Sequence, residues 1–174
     1  NIKVTIVAET IPALKQGSIE QFKTILTQFN KWFDDKWNAT DRKYQLLNGS
    51  SIQFNSYDSV GKAKQAGKRN VLFVNEANYH HHRIVDALMT RTTDEVIIDY
   101  NPDNEFWVDT DIIPRDNCET LVLTYLDNEA TPQSIKDDLA YKLKLAENSE
   151  YWRNWCEVYI YGRTGNLEGQ VFDD

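Results

Sequence analysis

Residues 70–78 have the sequence NVLFVNEAN, in which four apolar residues stand directly before Asn75 and Glu76. A short continuous apolar run of this kind is typical of a strand that is buried on both faces of a parallel sheet. In open parallel sheets, ligands bind at the carboxyl ends of the strands. The sequence therefore predicts a buried strand over residues 71–74, with Asn75 and Glu76 at the edge of the sheet where a ligand would bind.

Strand and helix patterns alternate along the rest of the chain. The predicted strands cover residues 2–9, 44–47, 52–55, 71–74, 96–98 and 121–124, and the second and third form a hairpin. Asn48-Gly49 is typical of the type I′ turn that would join this hairpin. The predicted helices cover residues 18–29, capped by Ser18, and residues 83–89, 133–148 and 151–158, with Pro132 at the first turn of the third. This order predicts one α/β domain of three layers around a mainly parallel sheet.

The composition excludes several classes of protein. With 41% apolar residues, 7 Gly and 4 Pro among 174 residues, the chain has the composition of a folded domain rather than a disordered one. Nineteen Lys and Arg against 27 Asp and Glu leave a net charge of −8, which argues against a stand-alone nucleic-acid-binding protein. DNA contact within a larger assembly stays open. No apolar run approaches the roughly 18 residues of a membrane-spanning helix, so no membrane association is expected.

Polar residues follow several of the predicted strands, and the strongest pattern is at Asn75 and Glu76. Four hydrophobic residues, an oxygen-bearing residue and then Glu form the Walker B pattern of nucleotide hydrolases. The first polar residue there helps to hold Mg²⁺, usually through water, and the Glu orients or deprotonates the attacking water. The same pattern arises by chance, and a Glu at a strand end is often solvated or caps a helix. Asn101-Pro102, after the next strand, is either an ordinary turn or a functional pair.

Three other features point away from a complete site. The run His80-His81-His82 favours a surface loop over a metal site, because consecutive side chains point in different directions. Residues 62–68 form a basic segment, predicted to be a solvated loop, with phosphate or DNA contact as the alternative. No GxxxxGK[ST] phosphate-binding loop occurs in the chain. A nucleotide site built here would therefore lack its main anchor.

Together these motifs resemble the large terminase subunit of tailed bacteriophages, and most closely the branch found in PBSX-like prophages. The matching segments are residues 70–78, 91–93, 98–102 and 105–107. Further matches are residues 8–10, 14, 15, 17, 124, 125, 127, 128, 151, 152, 162, 165, 167–169 and 172. The resemblance spans nearly the whole chain in the right order.

The resemblance implies that residues 1–174 are part of a P-loop ATPase domain, after its phosphate-binding loop and before a nuclease domain. The large subunit of that family hydrolyses ATP with Mg²⁺ and translocates double-stranded DNA into a capsid. By motif match, Glu76 would be the catalytic carboxylate, Asn75 the Mg²⁺ partner through water, and Asn101 the sensor of the γ-phosphate. The implied partners are the capsid portal, the small terminase subunit and further copies in a homo-oligomeric ring, in the host cytoplasm.

Two departures from the family pattern accompany the resemblance. Without the phosphate-binding loop, the chain alone is expected to be inactive, and its sheet is expected to have a gap or an open edge. Where many relatives have Arg-Gly before the Walker B strand, residues 64–69 are KQAGKR, so Arg69 or a Lys would have to replace a trans-acting arginine. Two alternatives remain, a non-catalytic prophage-derived interaction domain that retains the α/β fold and an unrelated α/β ligand-binding domain.

Overall fold

The computed structural model describes residues 1–165, so the matches at residues 167–169 and 172 lie outside the described residues. The chain divides into two compact units, Asn1–Tyr100 and Asn101–Asp174. Within the described residues, every helix is too short or too polar to cross a membrane.

The first unit is built on a six-stranded mixed sheet. Its strands are β1 (Lys3–Val7), β2 (Trp37–Asn38), β3 (Lys43–Gln45), β4 (Ser51–Asn55), β5 (Arg69–Val74) and β6 (Thr92–Ile98). They lie in the order β2-β3-β4-β1-β5-β6, with β4, β1, β5 and β6 parallel to one another and β2 and β3 antiparallel. The predicted α/β class and mainly parallel sheet are therefore confirmed, and the strand before Asn75 lies inside the sheet.

The first helical segment begins earlier than predicted. It consists of α1 (Ile11–Leu14), a π-helical stretch (Lys15–Ile19) and α2 (Glu20–Gln28). The hydroxyl of Thr10 caps it by accepting a hydrogen bond from the backbone N–H of Ala13 at 3.2 Å. The predicted cap at Ser18 is wrong, because Thr10 supplies an equivalent hydroxyl one helical segment earlier and Pro12 suits the first turn.

Two predictions in the next part of the chain need correction. The hairpin exists, but Gln45 pairs with Ser51, which leaves a loop of residues 46–50. Gly49 has a φ of +83°, whereas the described non-glycine residues with positive φ do not include Asn48, so the turn is not type I′. Residues 62–68 are not a simple loop either. They lie mostly in α3 (Val60–Gln65), which Ser59 caps and Ala63 anchors by its buried side chain.

One face of the sheet over β4 and β1 carries an apolar cluster. Ala8, Leu14 and Phe54 form a buried cluster, and Ile6 and Phe22 pack against it. Because side chains alternate along a strand, Thr5 and Gln53, which are paired in the register, lie on the opposite face. The helices α1 and α2 thus stabilise this part of the sheet from one side.

The strand predicted at residues 96–98 belongs to β6, which lies at the edge of the sheet rather than inside it. It extends over Thr92–Ile98 and pairs only with β5 among the described residues. Ile97 is 44% exposed. An apolar run is buried on both faces only where other elements cover both faces of the sheet, and the side chain of Ile97 is not covered in this way.

The second unit is helical in its described part. Its helices are α5 (Trp107–Asp111), α6 (Gln133–Ala146) and α7 (Glu150–Tyr159), and α4 (His82–Met89) belongs to the first unit. Leu139 on α6 packs with Cys156 on α7 in a small buried cluster. Pro132 precedes α6 as its N-cap residue rather than lying in its first turn.

The predicted strand at residues 121–124 does not exist. Leu121 and Leu123 are 78% and 70% exposed, and no strand occurs in the second unit as far as residue 165. A strand requires a partner to satisfy its backbone N–H and C=O groups, and within the described part of this unit none is present. The apolar pattern alone therefore misassigned this segment.

Candidate functional site

Three parallel strands end together around Asn75 and Glu76. The backbone N–H of Asn75 donates to the carbonyl of Val7 at the end of β1, at 2.9 Å. The N–H of Asp99, directly after β6, donates to the carbonyl of Val74 at 3.1 Å. The structure thus places Asn75, Glu76 and Asp99 at the carboxyl edge of the sheet, as the sequence pattern predicts.

Glu76 has a backbone conformation that is unusual for a residue with a side chain. Its φ and ψ are 55° and 61°, in the left-handed region, and the residue is exposed. For a non-glycine residue this conformation costs on the order of 1 kcal/mol, and such residues are concentrated at functional sites. The turn after β5 therefore presents the Glu76 carboxylate to solvent at a local energetic cost.

Asp99 holds this turn in place. Its carboxylate oxygen Oδ1 accepts a hydrogen bond from the N–H of Glu76 at 2.8 Å, and its carbonyl accepts one from the N–H of Ala77 at 2.8 Å. Asp99 keeps an exposed side, but partial burial of its carboxylate raises its pKa, while the hydrogen bond from Glu76 acts in the opposite direction. The sequence pattern put Asp99 at the strand end but could not show that it fixes the backbone of Glu76.

His80 is a buried neighbour of the site, which corrects the prediction of a surface loop for the three histidines. Only 9% of His80 is exposed, and its Nε2 lies 3.2 Å from the carbonyl oxygen of Asn75. Because a carbonyl only accepts, Nε2 carries the proton. Burial lowers the pKa of His80, and the nearby negative charges of Glu9 and Asp99 oppose this effect.

The other two histidines have separate roles. Nδ1 of His81 caps α4 by accepting from the N–H of Arg83 at 3.2 Å, and His82 is the first residue of that helix. A run of three histidines gave no signal that could distinguish these three environments.

We expect the free energy of unfolding to fall as the pH decreases below about 6.5, because His80 is held neutral. With a lowered pKa in the folded state, the unfolded chain binds the proton first between about pH 6.5 and the folded pKa. Asp99 has the opposite effect on stability, because its pKa is raised in the folded state. It makes the folded state more stable as the pH falls towards the ordinary aspartate pKa of about 3.9. Urea unfolding between about pH 5 and 8 measures this slope.

The variant His80→Gln keeps a donor for the Asn75 carbonyl and removes the titrating ring, so the pH slope should become smaller. His82→Gln removes a histidine from the same segment and serves as the control. An unchanged slope in His80→Gln would contradict the assignment.

The residues at this edge carry oxygen atoms of the types that bind Mg²⁺ in proteins. Asn75 supplies an amide oxygen, and Glu76 and Asp99 supply carboxylates. Mg²⁺ usually keeps several waters and is bound through one or two carboxylates together with substrate phosphates. In residues 1–165 no three His, Cys, Asp or Glu side chains are grouped so that they could hold a metal ion.

The two remaining candidates are Asn101 and Arg69. Asn101 is the first residue of the second unit, where it is exposed and its carbonyl accepts from the N–H of Asp103 at 2.8 Å. Arg69 is buried, and its Nη atoms donate to the carbonyls of Leu88 and Gly67 at 3.1 and 2.8 Å. It is therefore not extended towards solvent as a trans-acting arginine would be.

Comparison with known proteins adds a structural likeness. No family model matches the chain, and no curated protein matches it. The large terminase from a thermophilic bacteriophage matches in one crystal form with a TM-score of 0.70 and 17% identity over 92% of this chain and 40% of that chain.

The same terminase matches in its complex with ADP, with a TM-score of 0.68 and 16% identity over 93% of this chain and 40% of that chain. In its complex with ATP-gamma-S, the TM-score is 0.67 and the identity is 16%, over 93% of this chain and 39% of that chain. The chain thus spans about 40% of the length of these structures. At this identity the likeness concerns the fold alone, and the chain has a terminase-like α/β fold.

Proposed function

We propose that this chain is part of a terminase-type motor that hydrolyses ATP to move double-stranded DNA into a viral capsid. The observation that carries the proposal is Glu76, an exposed carboxylate at the end of an interior parallel strand. Its strained backbone is fixed by Asp99 on the neighbouring strand. Such strain persists where the surrounding structure enforces it, and it is concentrated at catalytic and ligand-binding sites.

In this proposal Glu76 is the general base that orients and deprotonates the attacking water. Asn75 would hold Mg²⁺ through a water molecule, and Asn101 would sense the γ-phosphate. When bound with ATP, Mg²⁺ would neutralise the charge that develops on the phosphates. Asp99 would act as a positioning residue, since it touches the backbone of Glu76 rather than the reacting atoms.

The phosphate-binding loop would come from another polypeptide segment, because residues 1–174 contain no GxxxxGK[ST]. We propose that the strand carrying this loop pairs with the open edge of β6. Among the described residues, β6 pairs with β5 on one side and with no strand on its outer side. Ile97, a residue of β6, is 44% exposed. Addition of a strand there would satisfy the backbone groups on the outer side and place β6 inside the sheet.

The full motor would include the capsid portal, the small terminase subunit and further copies of the chain in a ring, acting in the host cytoplasm. The PBSX-like branch remains the proposed relationship within the family. The alternative is a non-catalytic prophage-derived interaction domain that keeps the α/β fold.

Nucleotide-dependent stabilisation distinguishes the two functions. A chain extended upstream to include the phosphate-binding loop should gain about 2.7 kcal/mol of stability at an Mg²⁺-ATP concentration about 100 times its Kd. Residues 1–174 alone should show little stabilisation and little ATPase activity. The measurement is thermal unfolding with and without Mg²⁺-ATP. No stabilisation of the extended chain would favour the interaction domain, and robust hydrolysis by residues 1–174 would contradict the site.

A further inference from the structure

The face of the sheet that carries Thr5 and Gln53 in the first unit has a small pocket of about 180 Å³. Lys43, Gln53 and Thr5 are successive partners in the strand register, so they lie on the same face, opposite Phe54. The pocket lies near the amino ends of β1 and β5, whose first residues Lys3 and Arg69 both line it. Glu76 follows the carboxyl end of β5, so the pocket is separate from the candidate catalytic site.

Cations dominate the charge of this pocket. Lys3, Lys43, Lys68 and Arg69 line it, and no Asp or Glu belongs to the lining residues of this part of the structure. The ion pairs formed within residues 1–165 do not use any of these four cations. The chain as a whole has a net charge of −8, whereas the charged residues that line this pocket are all positive.

Arg69 is the most deeply buried of these four cations. Only 3% of this residue is exposed, and its Nη atoms donate to two backbone carbonyls. Its Nε is buried and has no hydrogen-bond partner among the described residues. Burial lowers the pKa of Arg69, but a guanidinium keeps its proton at neutral pH. A buried cation without a carboxylate is costly, and an anion in the adjoining pocket would compensate it.

Neutral hydrogen-bond donors complete the lining. Thr5, Ser51 and Tyr57 contribute hydroxyl groups. The Tyr57 oxygen accepts from Nδ2 of Asn55 at 3.2 Å, which leaves the Tyr57 proton to be donated to a ligand. Several hydroxyl donors together with ammonium groups from separate segments suit a phosphate group, which offers more acceptor oxygens than a carboxylate.

We propose that this pocket binds a phosphate group, supplied either by a small free anion or by the backbone of a nucleic acid. The proposal does not depend on ATP hydrolysis at Glu76. The pocket volume of about 180 Å³ is large enough for one or two phosphate groups.

Titration of residues 1–174 with inorganic pyrophosphate, followed by backbone amide NMR, tests the site. Shifts are expected at Thr5, Ser51 and Tyr57. The double variant Lys43→Gln/Lys68→Gln should bind about tenfold more weakly, because charged hydrogen-bond donors are lost. Arg69 is left unchanged, since its bonds to Leu88 and Gly67 join two segments of the fold.

The matched control is Lys31→Gln/Lys144→Gln, which removes the same charge at two lysines that are not among the residues lining the pocket. Binding by this control should equal that of the unaltered chain. An equal loss in both double variants, or shifts confined to residues 75–99, would overturn the proposal.

A second arm identifies the source of the phosphate. If the pocket binds a phosphodiester, fluorescence anisotropy with a short DNA duplex should show weaker binding by Lys43→Gln/Lys68→Gln. The salt dependence of binding should then correspond to about two fewer released counterions than for the unaltered chain. Binding of pyrophosphate without binding of the duplex supports a free anion as the occupant. Binding of neither ligand overturns the site.

Discussion

Replacement of Glu76 by Gln should lower ATP turnover by about 100-fold or more in a protein that contains both this chain and a phosphate-binding loop. Gln has nearly the same size but cannot accept a proton from water. The N–H of residue 76 would still donate to Asp99, so the turn after β5 should keep its conformation. Nucleotide binding should change little, because the phosphate loop supplies most of it. Steady-state phosphate release and the Kd for ATP measure the two effects separately.

Two further variants sharpen this experiment. Glu20→Gln alters an exposed carboxylate on α2 and should leave turnover unchanged. Glu76→Gly also lacks the carboxylate and should be as inactive as Glu76→Gln, but its unfolding free energy should be higher by up to about 1 kcal/mol. Glycine adopts the left-handed conformation without the steric cost that a side chain adds. Retained turnover in Glu76→Gln would remove this residue from the catalytic role.

Leu72→Ala should lower the free energy of unfolding by about 3 kcal/mol. Leu72 is completely buried on β5, between β1 and β6 in the sheet. Removing its side chain leaves a cavity and also loses the transfer free energy of the buried methyl and methylene groups. Urea unfolding followed by circular dichroism measures the loss.

Leu123→Ala is the matched control, because it makes the same change in the other short apolar run. Leu123 is 70% exposed, so the change should alter stability by no more than about 0.5 kcal/mol. Equal losses for the two variants would contradict the different environments of these two segments. A loss below about 1 kcal/mol for Leu72→Ala would contradict its position in the core.

The candidate site could be predicted from the sequence only in part. Asn75 and Glu76 follow an apolar run, and that local order was enough to place them at a strand end. The contact between Asp99 and the N–H of Glu76 joins residues 23 positions apart, and it depends on the register between β5 and β6. The burial of His80 depends in the same way on chain segments that are distant in sequence.

The sequence by itself determined the class of fold and the edge of the sheet at which Glu76 lies. Apolar periodicity reports whether a residue faces a core, and this property is local to each element. Only the tertiary structure decided that β6 lies at an edge, that residues 121–124 form no strand and that Glu76 is held in a left-handed conformation. These features depend on which strand lies beside which, because backbone hydrogen bonds between strands are made by partners far apart in the chain.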